Sequence, residues 1–188
     1  MNKLYGSHPG FRANHAKGIV VEGSFTPTPA AAALSKASVF QGSPVPVTVR
    51  FSNFVDPAGR RQPFRFQFLP VAGAEHLSKA DAASKTPDFL MDELPSRLAK
   101  EPVKFRVVAQ LANPGDQTKD PAQPWPDDRR TVDLGTITLT AAVADSASAQ
   151  KALLYLPNNV PDGIEPSDDP LIDTRVQAYA VSFGRRSQ

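Results

Sequence analysis

The feature that most restricts this chain is a period-two alternation of apolar and polar residues, repeated in segments that proline separates. Residues 45–51 place Val45, Val47, Val49 and Phe51 against Pro46, Thr48 and Arg50, and residues 64–69 set Phe64, Phe66 and Phe68 against Arg65 and Gln67. Residues 103–111 carry Val103, Phe105, Val107, Ala109 and Leu111 on one face, and residues 131–143 hold a further run. Successive side chains of a strand point to opposite faces, so this pattern predicts half-buried antiparallel strands. Residues 19–25, rich in β-branched and aromatic side chains, add another. The chain has 19 prolines, with clusters at Pro27 and Pro29, at Pro44 and Pro46, and from Pro121 to Pro126. Proline cannot donate to a ladder, so these clusters mark the loops. Gly135, inside the last run, marks a bulge or a close approach of backbone.

Helical signals are shorter. Pro29 followed by four alanines and Leu34 predicts a turn or two of helix between the first two strands. Residues 78–84, 88–100 and 146–154 read as further helices, the middle one from the spacing of Phe89, Leu90, Leu94 and Leu98. The segment 168–183 opens with acidic residues and Pro170 and then presents Leu171, Arg175 and Tyr179 at four-residue spacing, which predicts that they share a helical face. No internal repeat or domain boundary is visible, so residues 1–188 read as one domain.

Composition removes several function classes. The net charge of +2 is small and dispersed, which argues against a nucleic-acid surface. Absence of cysteine excludes disulfides, thiolate metal sites and a cysteine nucleophile, so a metal would need nitrogen or oxygen donors. The first residues lack the apolar run of a signal peptide and no stretch is as long as a membrane span; the expectation is a cytoplasmic protein without a membrane partner. There is no G-x-S-x-G, no phosphate-cradling glycine loop and no metal spacing among His8, His15 and His76. His8 and His76 read as solvated loop residues. Asp127, Asp128, Asp168 and Asp169 lie beside prolines and read as turn and capping residues.

The residues left to carry chemistry are His15, Ser52, Arg50 with Asn53, and Arg175 with Tyr179. Singly each has an ordinary structural explanation. Together they lie in a long specific run: HPGFRANHAKG, then VEGSFTPTPAAAALSKA, then PVPVTVRFSN resembles the opening of the catalase haem domain. LPVAG, DFLMDELPSRLA, PVKFRVVAQLANPGD, PWPDDRRTVDLGTITLT and DGIEPSDDPLIDTRVQAYAVSFGRR are similar to the small catalase-related peroxidases.

The resemblance implies an α+β fold built on an antiparallel β-barrel of the catalase type, shortened to about six strands, with several short helices. It implies haem b as cofactor and a small peroxide as substrate. His15 would stand over the distal face as acid and base, and Ser52 would orient it. Tyr179, in the motif R-x-x-x-Y, would be the axial iron ligand, with Arg175 one helical turn away stabilising its negative charge. Arg12 and Arg50 would meet the haem propionates. A homo-oligomer is left open.

The departures from the family are also specific. After VRFSN the chain passes through FVDPAGRRQ straight to PFRFQFLPVAG, so a long internal block is missing, and with it the family's distal asparagine and haem cover. Asn53 does not take that asparagine's role. A sheet that has lost strands cannot close with the same shear, so exposed edges or a tighter barrel are expected. Two alternatives to a haem peroxidase follow: a shortened barrel that does not hold haem, and a relative that rearranges hydroperoxides.

Overall fold

The computed structural model of the chain describes residues 19–41, 51–74, 76–86, 88–120 and 123–186, those at 41 and 51–53 by their backbone alone. Its elements run β1 (Val21–Pro27), α1 (Pro29–Leu34), a 3-10 turn (Ser38–Gln41), β2 (Phe51–Val55), β3 (Arg61–Pro70), α2 (Lys79–Ala83) and α3 (Phe89–Leu98). They continue with β4 (Val103–Leu111), β5 (Thr131–Ala142), α4 (Ser146–Ala152), β6 (Ile164–Pro166) and α5 (Leu171–Arg186). The α+β class and the short helices match expectation, and β4 covers the residues its alternation predicted. The strand expected over 45–51 meets the described residues only at Phe51, where β2 begins; the rest lies outside them.

The strands form one antiparallel sheet in the order β1-β5-β4-β3-β2-β6. Among the described residues β1 and β6 are its two edges, so the barrel is an open half-barrel. Its curl follows from the packing. In a flat sheet β1 and β2 would lie four strand spacings apart, roughly 19 Å. Instead Phe40, from the 3-10 turn, meets Phe25 of β1 at 6.4 Å and Phe54 of β2 at 5.9 Å between ring centroids. One apolar ring bridges strands that only a rolled sheet can bring together. The concave core joins Phe25, Phe54, Phe64, Val107, Leu134 and Ile164, one from each strand, to Ala31, Ala37 and Val39.

Two glycines permit close crossings. Val107 pairs with Gly135 and Val108 with Asp133, which leaves Leu134 as the extra residue of a bulge on β5. Gly135 has φ +152°, and a Cβ there would lie 2.2 Å from the Thr26 carbonyl oxygen and 2.7 Å from the Phe25 ring. The expectation of a bulge and a close approach at Gly135 therefore holds on both counts, and the bulge turns Leu134 into the core, where it is fully buried. Gly163, at φ +89°, carries the chain under the segment after α1; a Cβ would sit 2.4 Å from the Ala37 nitrogen. There the buried Ser35 hydroxyl donates to the Gly163 carbonyl at 2.6 Å and accepts from the Ala37 N–H at 3.1 Å. The Val55 N–H donates to the same carbonyl at 2.9 Å.

On the convex side the β4–β5 loop folds back against the sheet. Trp125 is 5% exposed, its indole N–H donates to the Gln117 carbonyl at 2.7 Å, and the Arg65 guanidinium stacks 4.4 Å from its ring. Arg65 also donates to the Gln123 carbonyl, and the buried Gln110 amide donates to that of Pro126 at 3.1 Å. Asp116 receives a two-point pair from Arg129, at 2.8 and 2.9 Å. The hydrogen bonds from Arg129, and after them the Asn113 N–H, hold its carboxyl down to about 2. A depressed carboxylate stabilises the fold above its unfolded value of about 3.9, and that contribution is lost as pH falls through the folded value. Asp116→Asn is therefore expected to lower the urea midpoint at neutral pH, with the gap to the parent closing between about pH 4 and pH 2. Midpoints that fall in parallel over that window would show that the pair does not act this way.

Candidate functional site

The residues expected to bind or react are spread over β2, α5 and the segments before β1 and β2. Arg12, His15 and Arg50 lie outside the described residues, as does His8. Ser52 sits on β2 with its backbone opposite Phe64 on one side and Pro166 on the other. Asn53 follows it, opposite Pro63 and Glu165. His76 is in an exposed loop, as expected.

Tyr179 and Arg175 lie on α5. The helix begins where Asp169 turns its carboxylate to the Leu171 N–H, at 2.9 Å, while the Asp169 carbonyl accepts from the Ile172 N–H at 3.1 Å. That is the capping role expected for this carboxylate. Asp173 in the first turn and Arg185 and Arg186 in the last complement the helix dipole.

The face that α5 turns to the protein differs from the expected row. Ile172 and Arg186 are buried, and Val176, Tyr179 and Phe183 are half-buried, a stripe with alternating four- and three-residue steps. Leu171 is 50% exposed and Arg175 is exposed. The physical reason is helical pitch: a four-residue step turns about 400°, so Leu171 sits roughly 80° from Tyr179 and drifts off the stripe. Tyr179 is thus midway along the inward stripe, and Arg175 is one turn earlier at its solvent margin.

Among the described residues no three His, Cys, Asp or Glu side chains gather as a metal-holding group. The donor to be judged is the phenol. A porphyrin would bring nitrogen donors of its own, so one further oxygen from the protein would suffice to hold it, and a half-buried tyrosine on the inward stripe fits that requirement. Ser52 and α5 are joined through the fold, because β6 pairs with β2 at Ser52 and leads directly into α5. Sequence reasoning missed β6 and the buried end of the stripe. Ile164–Pro166 is too short to show alternation, and the sequence signal for Arg186 was only a basic pair at a helix end.

The sequence profile of the family described as Catalase matches residues 53–186, from within β2 through α5. This chain belongs to the catalase family. A catalase-related peroxidase of Mycolicibacterium paratuberculosis is 40% identical over 123 residues, 65% of this chain and 39% of that protein. A catalase-related peroxidase of Synechococcus elongatus is 35% identical over 135 residues, 72% of this chain and 40% of that protein. This catalase-family chain thus spans about two fifths of the length of those relatives. Among solved structures, a fungal catalase superposes with a TM-score of 0.65 at 16% identity, covering 73% of this chain and 30% of that one. Catalase A of Saccharomyces cerevisiae gives 0.63 at 19% identity, covering 73% and 30%. The solved catalases support the half-barrel fold and nothing finer. Among the described residues no helix is long and apolar enough to cross a membrane.

Proposed function

We propose that residues 1–188 form one shortened haem domain of a peroxidase or weak catalase that reduces hydrogen peroxide or organic peroxides. The observation that carries this reading is the position of Tyr179: a phenol midway along the inward stripe of α5, inside the segment that matches the catalase family. Haem, when bound, supplies the redox iron at which a peroxide O–O bond is cleaved. The chain supplies the rest. Tyr179 would hold the iron through its phenol oxygen, and Arg175, one turn away, would stabilise the negative charge there. His15 would take a proton from the peroxide hydroxyl and return it to the departing oxygen, with Ser52 orienting the imidazole. Arg12 and Arg50 would meet the propionates. A cytoplasmic enzyme that assembles as a homo-oligomer is consistent with this reading.

The open sheet favours a second reading, a half-barrel that folds without haem. With two open edges among the described residues, the sheet offers less wall to shield a porphyrin than a closed barrel would. Titrating the purified chain with haemin separates the two. A Soret band that saturates at one haem per chain is expected; a titration that produces no saturable band leaves the second reading standing and removes the first.

A further inference from the structure

We propose that Arg186 is a positioning residue for Tyr179, fastening the C-terminal end of α5 so that the phenol is held from both sides; this rests on the haem reading above. Arg186 is 7% exposed as a residue, and its guanidinium donates from Nη2 to the Leu153 carbonyl at 3.0 Å and lies 5.5 Å from the ring of Phe183. A guanidinium withdrawn from water is costly unless it meets fixed acceptors, so a buried arginine at the end of an otherwise apolar stripe needs a reason for its position.

The place of that bond in the fold supplies one. Leu153 ends α4, and α4 hangs from the sheet: the Ser146 hydroxyl accepts from the Val20 N–H at 3.0 Å and donates to the Val143 carbonyl at 2.9 Å, just before β1 and just after β5. A continuous path therefore runs from the β1–β5 side of the sheet through Ser146, α4 and Leu153 to Arg186. The other end of α5 follows β6, the opposite edge. With 16 residues the helix is roughly 24 Å long, enough to reach across a curled sheet of this width. The helix is thus tied at one end through β6 and at the other through Leu153, and Tyr179 stands seven residues from Ile172 and seven from Arg186. Releasing one end would let the phenol swing by a large fraction of a helix diameter while the sheet stays folded.

The test uses the whole chain. In amide hydrogen exchange without haem, Arg186→Met is expected to speed exchange over 179–186 at least tenfold while 171–176 and the core strands keep their protection. Arg186→Lys, with a donor of similar reach, is expected to restore most of the bond to the Leu153 carbonyl. With haemin, Arg186→Met is expected to bind at least tenfold more weakly and to show a broadened Soret band, and Arg186→Lys to recover a single sharp one. Should Arg186→Met fail to fold, Ser146→Ala cuts the same path one step earlier and is expected to loosen the same residues. Unchanged protection over 179–186, or loosening spread equally over helix and sheet, overturns the proposal. A parent chain that never binds haemin removes the peroxidase reading, and the exchange experiment still decides the anchoring.

Discussion

Tyr179→Phe is expected to remove the Soret absorption that the parent chain develops with haemin, weakening haem binding by more than about 100-fold, beyond the 10- to 100-fold typical of losing a supporting group around a metal ligand. The substitution deletes one oxygen and keeps the ring. The half-buried position of Tyr179 between Val176 and Phe183 is filled as before, so the thermal midpoint should hardly move. That separation gives the experiment its force, because loss of colour in a protein of unchanged stability isolates the donor atom. Equal haemin affinity in parent and variant would mean that any iron is held elsewhere, and the assignment of Tyr179 would fall with it.

The second large effect concerns the core. Phe64→Ala is expected to cost about 3–5 kcal/mol, measured by urea or guanidinium unfolding. Phe64 is fully buried at the centre of the concave face. Its ring stacks on Phe54 of β2 at 3.6 Å and meets Phe66 edge-on at 4.8 Å. Removing it empties the contact between two strands and takes away the partner that holds Phe54 under Phe40. Domains of this kind are stable by about 5–15 kcal/mol, so the variant is expected to be marginal. A loss below about 1 kcal/mol would mean that the neighbouring rings close over the gap, and that the core is looser than its packing indicates.

Much of this architecture could be read from residue order, because its signals are local. Alternation in 103–111 reproduced β4, and the first proline cluster falls at the junction where Pro27 ends β1 and Pro29 opens α1. β3 extends to Arg61–Pro70, beyond the expected 64–69, because Arg61, Gln62 and Pro63 pair with β2 without adding to the apolar face. What escaped was decided by contacts distant in sequence. The curl depends on Phe40 lying between Phe25 and Phe54, and no spacing within the 3-10 turn reveals that. The inward stripe of α5 depends on which neighbours the helix meets, so counting in fours located Tyr179 and misjudged Leu171 and Arg175. The candidate site is legible to a lesser degree: the motif around Tyr179 lies on a helix, as its spacing predicted, whereas the roles of Tyr179, His15, Arg12 and Arg50 stand as assignments by resemblance.

The pairing of β1 with β5 also bears on how the chain is made. Val21 meets Ala142 and Pro27 meets Gly135, so the earliest described strand finds its sheet partner more than a hundred residues later. On a ribosome adding about 5–20 residues per second, β1 must wait several seconds for that partner to be synthesised. During that wait its backbone donors and acceptors, and Phe25, are open to any other strand in the vicinity. Non-local pairing of this kind slows folding and favours aggregation, so cellular yield should depend on translation speed and chaperone supply as much as on the stability of the finished protein.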